Sequence, residues 1–265
     1  MTAHLLLIDG LNLVRPIYET NPSSDPTEKL DGVLTTLNRS FLRALEKHTP
    51  THLAWVFERR CHTWRHDIYP EYKSSREPPP PLLLEVVRHF RQQMADQGVK
   101  TMEYEGLEAD DVISCIAARA RKAGIKVTVL STDKDLAFLL TLGVDVYNHF
   151  ASSWRDAEWC QRKLGGIQPH QILDCLALMG DSADDIPGVS KIGVTTAGAL
   201  LNQYGDLEGV LAAAAAGKIK GVRGARLVEE AHLARLSRQL TDLKFDCVTD
   251  PLRLTDFKVQ APAHA

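Results

Sequence analysis

Short apolar runs alternate with amphipathic stretches along the first 150 residues, and run after run ends in an acid. Leu5-Leu6-Leu7-Ile8 ends in Asp9, and Leu53-Ala54-Trp55-Val56-Phe57 ends in Glu58. Val127-Thr128-Val129-Leu130 leads straight into Ser131-Thr132-Asp133-Lys134-Asp135. Such runs predict buried parallel strands, and we place strands at 4–9, 52–58, 100–104, 126–131 and 144–148. Helical periodicity predicts helices over 27–48 and 82–98, one opening at Glu108 and stopping at Gly124, and one from about Lys134. Strands alternating with helices give an α/β fold with a mainly parallel central sheet flanked by helices. Segment 59–81 closes on four prolines, Pro78 to Pro81, and reads as a loop or the base of an arch. From about residue 168 the strand signal fades. Helical patterns at 169–179, 195–204, 207–216 and 224–240, separated by Gly-rich turns, predict a helical subdomain. The expected division is 1–167 for the α/β core, 168–250 for the helical subdomain and 251–265 for a tail, disordered from Lys258.

Ligands of open α/β sheets bind outside the carboxyl ends of the strands. Asp9, Glu58, Glu108, Asp110, Asp111, Asp133, Asp135, Asp181 and Asp184 should therefore gather on one rim. Crowded carboxylates repel one another and need cations. Oxygen-only ligands favour Mg²⁺ or Mn²⁺, and two such ions about 4 Å apart could activate water against a phosphodiester. Taken singly, the acids have plainer explanations: those in the first turn of a helix can simply complement its dipole, and Asp9-Gly10 could be a turn. An aspartyl phosphatase would want a second Asp two residues after Asp9, where this chain has Leu11.

Composition narrows the choice. The chain has 265 residues, 44% of them hydrophobic, enough for a substantial core. A net charge of -3 argues against a polybasic binder but permits local basic faces. Five scattered cysteines without a Cys-x-x-Cys pair fit reduced thiols in the cytoplasm. The first apolar run breaks at Asp9, so it reads as a strand rather than a leader, and no segment is long enough to span a membrane. We expect a monomer.

Arg59, Arg60, Arg65, His66, Lys73 and Arg76 interleave with Trp64, Tyr69 and Tyr72. This is either a solvated loop or a platform on which cations hold phosphates and rings stack on unpaired bases. Lys73 could stabilise charge on a transferred phosphoryl group. Further on, Ile186-Pro187-Gly188-Val189-Ser190-Lys191-Ile192-Gly193-Val194-Thr195-Thr196 reads as a helix-hairpin-helix. Gly188 and Gly193 would permit the turn, and Thr195 or Thr196 would cap the second helix. Its backbone N–H groups could hold a phosphate without reading sequence, and its carbonyls could hold a monovalent cation.

Together these residues resemble the 5′-nuclease superfamily, the flap endonucleases and the 5′-nuclease domains of bacterial DNA polymerases. The matching motifs are Leu-Ile-Asp-Gly at 7–10, Tyr-Pro-Glu-Tyr-Lys-Ser-Ser-Arg at 69–76, Glu-Ala-Asp-Asp-Val at 108–112, Ser-Thr-Asp-Lys-Asp-Leu at 131–136 and Gly-Asp-Ser-Ala-Asp-Asp-Ile-Pro-Gly at 180–188. The resemblance implies a PIN-like core and a structure-specific hydrolase acting on DNA with 5′ flaps or branches. It implies Asp9, Glu58, Glu108 and Asp110 around a first divalent ion. Asp110, Asp111, Asp133, Asp135, Asp181 and Asp184 would serve a second, some through water. It further implies Tyr72, Lys73 and Arg76 as the catalytic basic segment. Potassium would sit on the carbonyls of Leu178, Met179, Pro187, Val189 and Ile192. DNA contacts would come from Arg65 and from Lys191, Ile192, Gly193, Val194, Thr195 and Thr196. Glu58 stands where the family usually has Asp, and Thr195 where it often has Lys. Two rivals stay open: a flap-binding protein with weak or lost catalysis, kept alive by Glu58, and a PIN-like ribonuclease, which the hairpin argues against.

Overall fold

The computed structural model describes residues 2–59 and 61–259; Met1, Arg60 and residues 260–265 lie outside them. Six strands form one sheet: β1 (His4–Asp9), β2 (His52–Val56), β3 (Lys100–Met102), β4 (Lys126–Leu130), β5 (Asp145–Asn148) and β6 (Ser153–Trp154). Their spatial order is β3-β2-β1-β4-β5-β6. Every pairing is parallel except β5 with the short β6, a strand absent from the sequence expectation. Both faces are covered, which is why the strands read as unbroken apolar runs. Leu5 and Leu7 pack toward α5 (Ala109–Lys122). Leu6 and Ile8 pack toward α1 (Gly10–Thr20), α2 (Pro26–His48) and α4 (Pro81–Asp96).

The chain builds outward from β1 to β2 and β3, then returns to place β4 on the other side of β1. That reversal opens a crevice at the carboxyl ends of β1 and β4, the expected ligand position. Local chemistry holds the strand ends in place. Asp9 caps α1 by accepting from the Asn12 N–H at 3.3 Å. A Cβ on Gly10 would lie 2.4 Å from the Phe57 ring, so only glycine lets α1 start against the end of β2.

The helical part has a core of its own, built from α6 (Ala157–Lys163), α7 (Ile172–Met179), α8 (Val194–Tyr204), α9 (Leu207–Ala215), α10 (Gly221–Glu229) and α11 (Ala231–Leu240). The single helix expected over 224–240 is two, breaking at Glu230. The helix expected from Lys134 is a 3-10 helix, Asp135–Leu142. After α11 the chain returns to the α/β core, where Leu243, Val248 and Phe257 pack with α5. The expected disorder from Lys258 fails for Lys258 and Val259: Lys258 bridges to His52, and the Val259 N–H donates to the Thr51 carbonyl at 3.1 Å.

Segment 59–81 is not an open arch along the described residues. It contains α3 (Trp64–Ile68) and lies clamped between the two cores. Arg65 is its anchor, at 3% exposure. Its guanidinium grips the fully buried Asp111 carboxylate through two hydrogen bonds, at 2.7 and 3.1 Å. It also donates to the carbonyls of Leu240 and Asp242, both at 2.9 Å. Trp64 Nε1 and the Lys244 N–H complete the shell of Asp111. Two expectations are thereby corrected. Arg65 is too buried and too fully bonded to touch DNA, and Asp111 faces Arg65 instead of a metal. Removing one partner leaves a buried uncompensated charge. Asp111→Ala should therefore cost about 3–5 kcal/mol in urea unfolding; a loss below about 1 kcal/mol would show that the pair does not hold the segment.

Candidate active site

The crevice gathers the acids that the sequence marked, apart from Asp111. Asp9 ends β1 and is buried; its Oδ2 accepts from the Ser131 hydroxyl at 2.9 Å. Glu58 follows β2. Glu108 and Asp110 open α5. Asp133 and Asp135 follow β4, and Asp133 Oδ1 accepts from the Asp135 N–H at 2.9 Å. Asn12 ties this loop to α1 through the Thr132 N–H at 3.0 Å. Asp181 and Asp184 arrive from the helical side on the loop after α7, closed by the Asp181–Ile186 bridge.

These acids fall into two groups. Those of the first group are paired with cations of the chain itself. Glu108 accepts from Lys73 Nζ at 2.8 Å and lies 3.4 Å from Arg65. Burial works against its charge, yet Lys73 and Arg65 hold its carboxyl below the usual range. Asp184 pairs with Arg76 and lies 3.9 Å from Lys73. Asp181 pairs with Lys134 at 2.6 Å. Tyr72, 3% exposed, donates its hydroxyl to Glu108 at 3.1 Å. Burial and the Glu108 charge push its phenol upward, so it stays protonated and orients Glu108 rather than acting as a base.

In the second group no side-chain cation is in contact among the described residues. Burial, then the charges of Asp133 and Glu58, push Asp9 up to about 7 against the Ser131 hydrogen bond. Asp110 is pushed well above the carboxylate range by burial and by Asp133, Asp9 and Asp135. Asp135 is raised by burial and by Asp133, Asp181 and Asp184, against the charge of Lys134, and its Oδ1 is buried without a hydrogen-bond partner. An orphaned carboxylate oxygen amid mutually repelling acids is the donor set of a hard divalent cation. Among the described residues no three acids, histidines or cysteines close into a finished cage.

Beside the row lies a cavity of about 550 Å³, lined among others by Arg76, Asp133, Lys134, Asp135, Arg155 and Trp159. Lys134 and Arg155 escaped the sequence expectation. Lys134 sat inside a quoted motif without a role, and Arg155 had no local signal. Its guanidinium donates to the Thr132 carbonyl and stacks 4.3 Å from the centroid of Trp159.

The hairpin forms with two corrections. Gly188 (φ 63°) is essential, since a Cβ there would lie 2.3 Å from the Gly180 nitrogen. Gly193 is extended, with open space around it; the second left-handed residue of the turn is Lys191, φ 65°. Gly193, not a threonine, occupies the cap position of α8, and no side chain caps it. Thr195 and Thr196 lie in the first turn. Lys191, Gly193 and Thr195 are exposed, whereas the Ile192 side chain is buried and leaves only its backbone for a ligand. Glu230 fixes the loop through the N–H and hydroxyl of Ser190, both at 2.6 Å. Of the carbonyls expected to hold potassium, those of Leu178 and Val189 also accept backbone hydrogen bonds, from Val189 and Ile192.

A model of the 5′-3′ exonuclease N-terminal resolvase-like domain matches residues 4–165, and one of the 5′-3′ exonuclease C-terminal SAM fold matches 167–265. This chain belongs to the 5′-3′ exonuclease family. Exonuclease-family relatives include the flap endonuclease Xni of Vibrio parahaemolyticus, 33% identical over 267 residues and all of both chains. That of Psychromonas ingrahamii is 34% identical, covering 97% of this chain and 99% of the relative. The fold matches bacteriophage T5 5′-exonuclease with zinc bound (TM-score 0.75, 19% identity, 92% of this chain and 91% of that one). It also matches bacteriophage T5 flap endonuclease in a complex with DNA and metal ions (TM-score 0.74, 19% identity, 92% and 90%).

The pKa directions set the sign of a pH effect on this exonuclease-family protein. Raised carboxyl pKa values mean that the folded state binds more protons than the unfolded chain between about pH 4 and 7, so metal-free stability falls as pH rises through that window. Melting temperature in a chelator should therefore drop from pH 5 to pH 7.5, and Asp110→Asn should reverse much of the drop. A metal-free protein equally stable at both pH values would contradict the crowding.

Proposed function

We propose that the protein is a structure-specific 5′-nuclease hydrolysing phosphodiesters of DNA with 5′ flaps or branches, residues 1–167 carrying the chemistry and 168–250 the duplex grip. The observation that supports this best is the unpaired carboxylate row at the sheet's switch point, flanked by a clamped cationic segment on one side and a bare hairpin on the other. Asp9, Asp110, Asp133 and Asp135, with Glu58 and Glu108 beside them, would hold Mg²⁺ or Mn²⁺; such ions, when bound, supply an activated water and stabilise the leaving oxygen. Lys73 carries its charge at the edge of that row. Burial opposes the charge, but Glu108, Glu58 and Asp184 hold the ammonium protonated. It is therefore a donor for the phosphoryl oxygens as negative charge builds up on them. Arg76 and Tyr72 position the acids around it. The free N–H groups at the start of α8, with Lys191, hold duplex phosphates without reading bases, and carbonyls of the hairpin would hold K⁺. The protein would act as a cytoplasmic monomer.

The direct test is purified protein with a 5′-flapped duplex and Mg²⁺. Incision near the junction is expected. A shifted but uncut substrate would support the binder, and preference for a flap arm made of RNA the ribonuclease. Asp110→Asn or Asp133→Asn should abolish cutting while flap binding in Ca²⁺ survives; full activity in either would sink the metal assignment.

Lys73→Ala should slow single-turnover cleavage by roughly 10²-fold or more, the scale of losing one transition-state donor. Affinity in Ca²⁺ should change far less. Collapsed affinity with an unchanged rate at saturating enzyme would make Lys73 a binding residue only.

A further inference from the structure

The two halves of the carboxylate row differ in what a second divalent ion would have to displace. Asp9, Asp110 and Asp133 have no side-chain cation in contact among the described residues. On the helical side every acid is engaged. Asp181 Oδ2 accepts from Lys134 Nζ at 2.6 Å, and its Oδ1 accepts from the Ala183 N–H at 3.0 Å. Both carboxylate oxygens are thus in use, and the backbone of Asp181 is locked in its bridge with Ile186. Asp184 gives its oxygens to Arg76 and, at 3.4 Å, to the Tyr72 hydroxyl. Lys134 differs from Arg76, whose side chain is equally open at 39% exposure, in its place on the chain. It lies between Asp133 and Asp135 in sequence, on the loop that carries the bare acids, and reaches across the cavity to the helical side. It is also only partly buried, its side chain 32% exposed, so it can swing into water at little cost. Arg155 cannot: it is 7% exposed, stacked on Trp159 and bonded to the Thr132 carbonyl.

We infer that Lys134 is a resident cation of the second metal position, a displaceable ammonium that competes with a divalent ion for Asp181 and makes the two ion-binding steps unequal. This rests on the nuclease reading above, because it takes the row to be a metal site. The first ion would meet carboxylates that hold only neutral donors, such as the Ser131 hydroxyl and Asn12 N–H on Asp9, and no cation. The second must release Lys134 from Asp181 and then share the site with a like charge if the ammonium stays near. In the metal-free protein, the same contact neutralises Asp181 and ties the β4 loop to the loop before the hairpin. Lys134 is thus a determinant of metal affinity and loop order, with no bond made or broken by it.

The test is Mn²⁺ titration of the whole protein without DNA, followed by calorimetry and by the paramagnetic resonance signal of free Mn²⁺. Wild type should bind in two resolved steps, the second weaker. Lys134→Met should tighten the second step by about tenfold, the scale of removing one like charge at contact distance, and leave the first within about twofold. Lys134→Arg, which keeps the charge, should stay near wild type. A second step unchanged in Lys134→Met, or a single step in both proteins, would overturn the inference. Thermal melting of each variant checks that it is folded. No DNA is present, so a failure to cut flaps would count against the nuclease reading while leaving this isotherm interpretable.

Discussion

Uncompensated negative charge at the carboxyl ends of β1 and β4 is the constraint on which the rest of this structure depends. The strand order forces it: β2 and β3 lie on one side of β1 and β4 on the other, so the loops after β1 and β4 diverge and leave a crevice between them. Acids from the ends of β1, β2 and β4, the start of α5 and the loop after α7 fill that crevice. Repulsion and burial push Asp9, Asp110 and Asp135 toward their neutral forms. The chain neutralises the outer members with Lys73, Arg76 and Lys134, and leaves the inner ones bare. A structure optimised for stability alone would not keep such a row; a cation site would.

Those outer cations need a scaffold of their own. The basic segment carries too little apolar surface to fold unaided, so the buried Arg65–Asp111 pair and the small Tyr72–Ile186–Leu240 cluster fasten it to both cores. The Lys73 N–H donates to the Asp184 carbonyl at 3.0 Å, and Ser75 bonds Asp185. Charge placement at the rim and attachment of the helical subdomain are therefore one problem with one solution. Lys73 itself is left-handed, φ 54°, a conformation that costs energy in a non-glycine residue and persists because both neighbouring loops define it.

Much of this was legible in the residues, because buried parallel strands write themselves as apolar runs and the acids follow them directly. What escaped has physical reasons. Helix α1 keeps an apolar face in Leu13, Val14 and Ile17 but carries Pro16 in its interior, a residue that signals a helix break. The break at Glu230 has no glycine or proline to announce it. Asp111 reads like its neighbour Asp110, but one residue along a helix turns a side chain by about 100°, enough to aim it at Arg65 instead of the rim. Arg65 in turn sits in a basic, aromatic stretch that resembles a binding platform. Only a contact between residues 46 apart reveals it as an internal anchor. In the hairpin, sequence gives the turn to Gly188 and Gly193, whereas the fold makes Gly188 and Lys191 left-handed and leaves Gly193 extended, with open space around it, in front of α8.

Proton release on metal binding tests the central constraint most directly. If crowding holds protons on the bare acids, an arriving divalent ion must expel them. Mn²⁺ binding measured by calorimetry in buffers of differing ionisation enthalpy should release about one proton or more at pH 6, falling toward none above pH 8. Binding at pH 6 without proton release would mean that the row is already fully ionised, and the charge imbalance described here would be wrong.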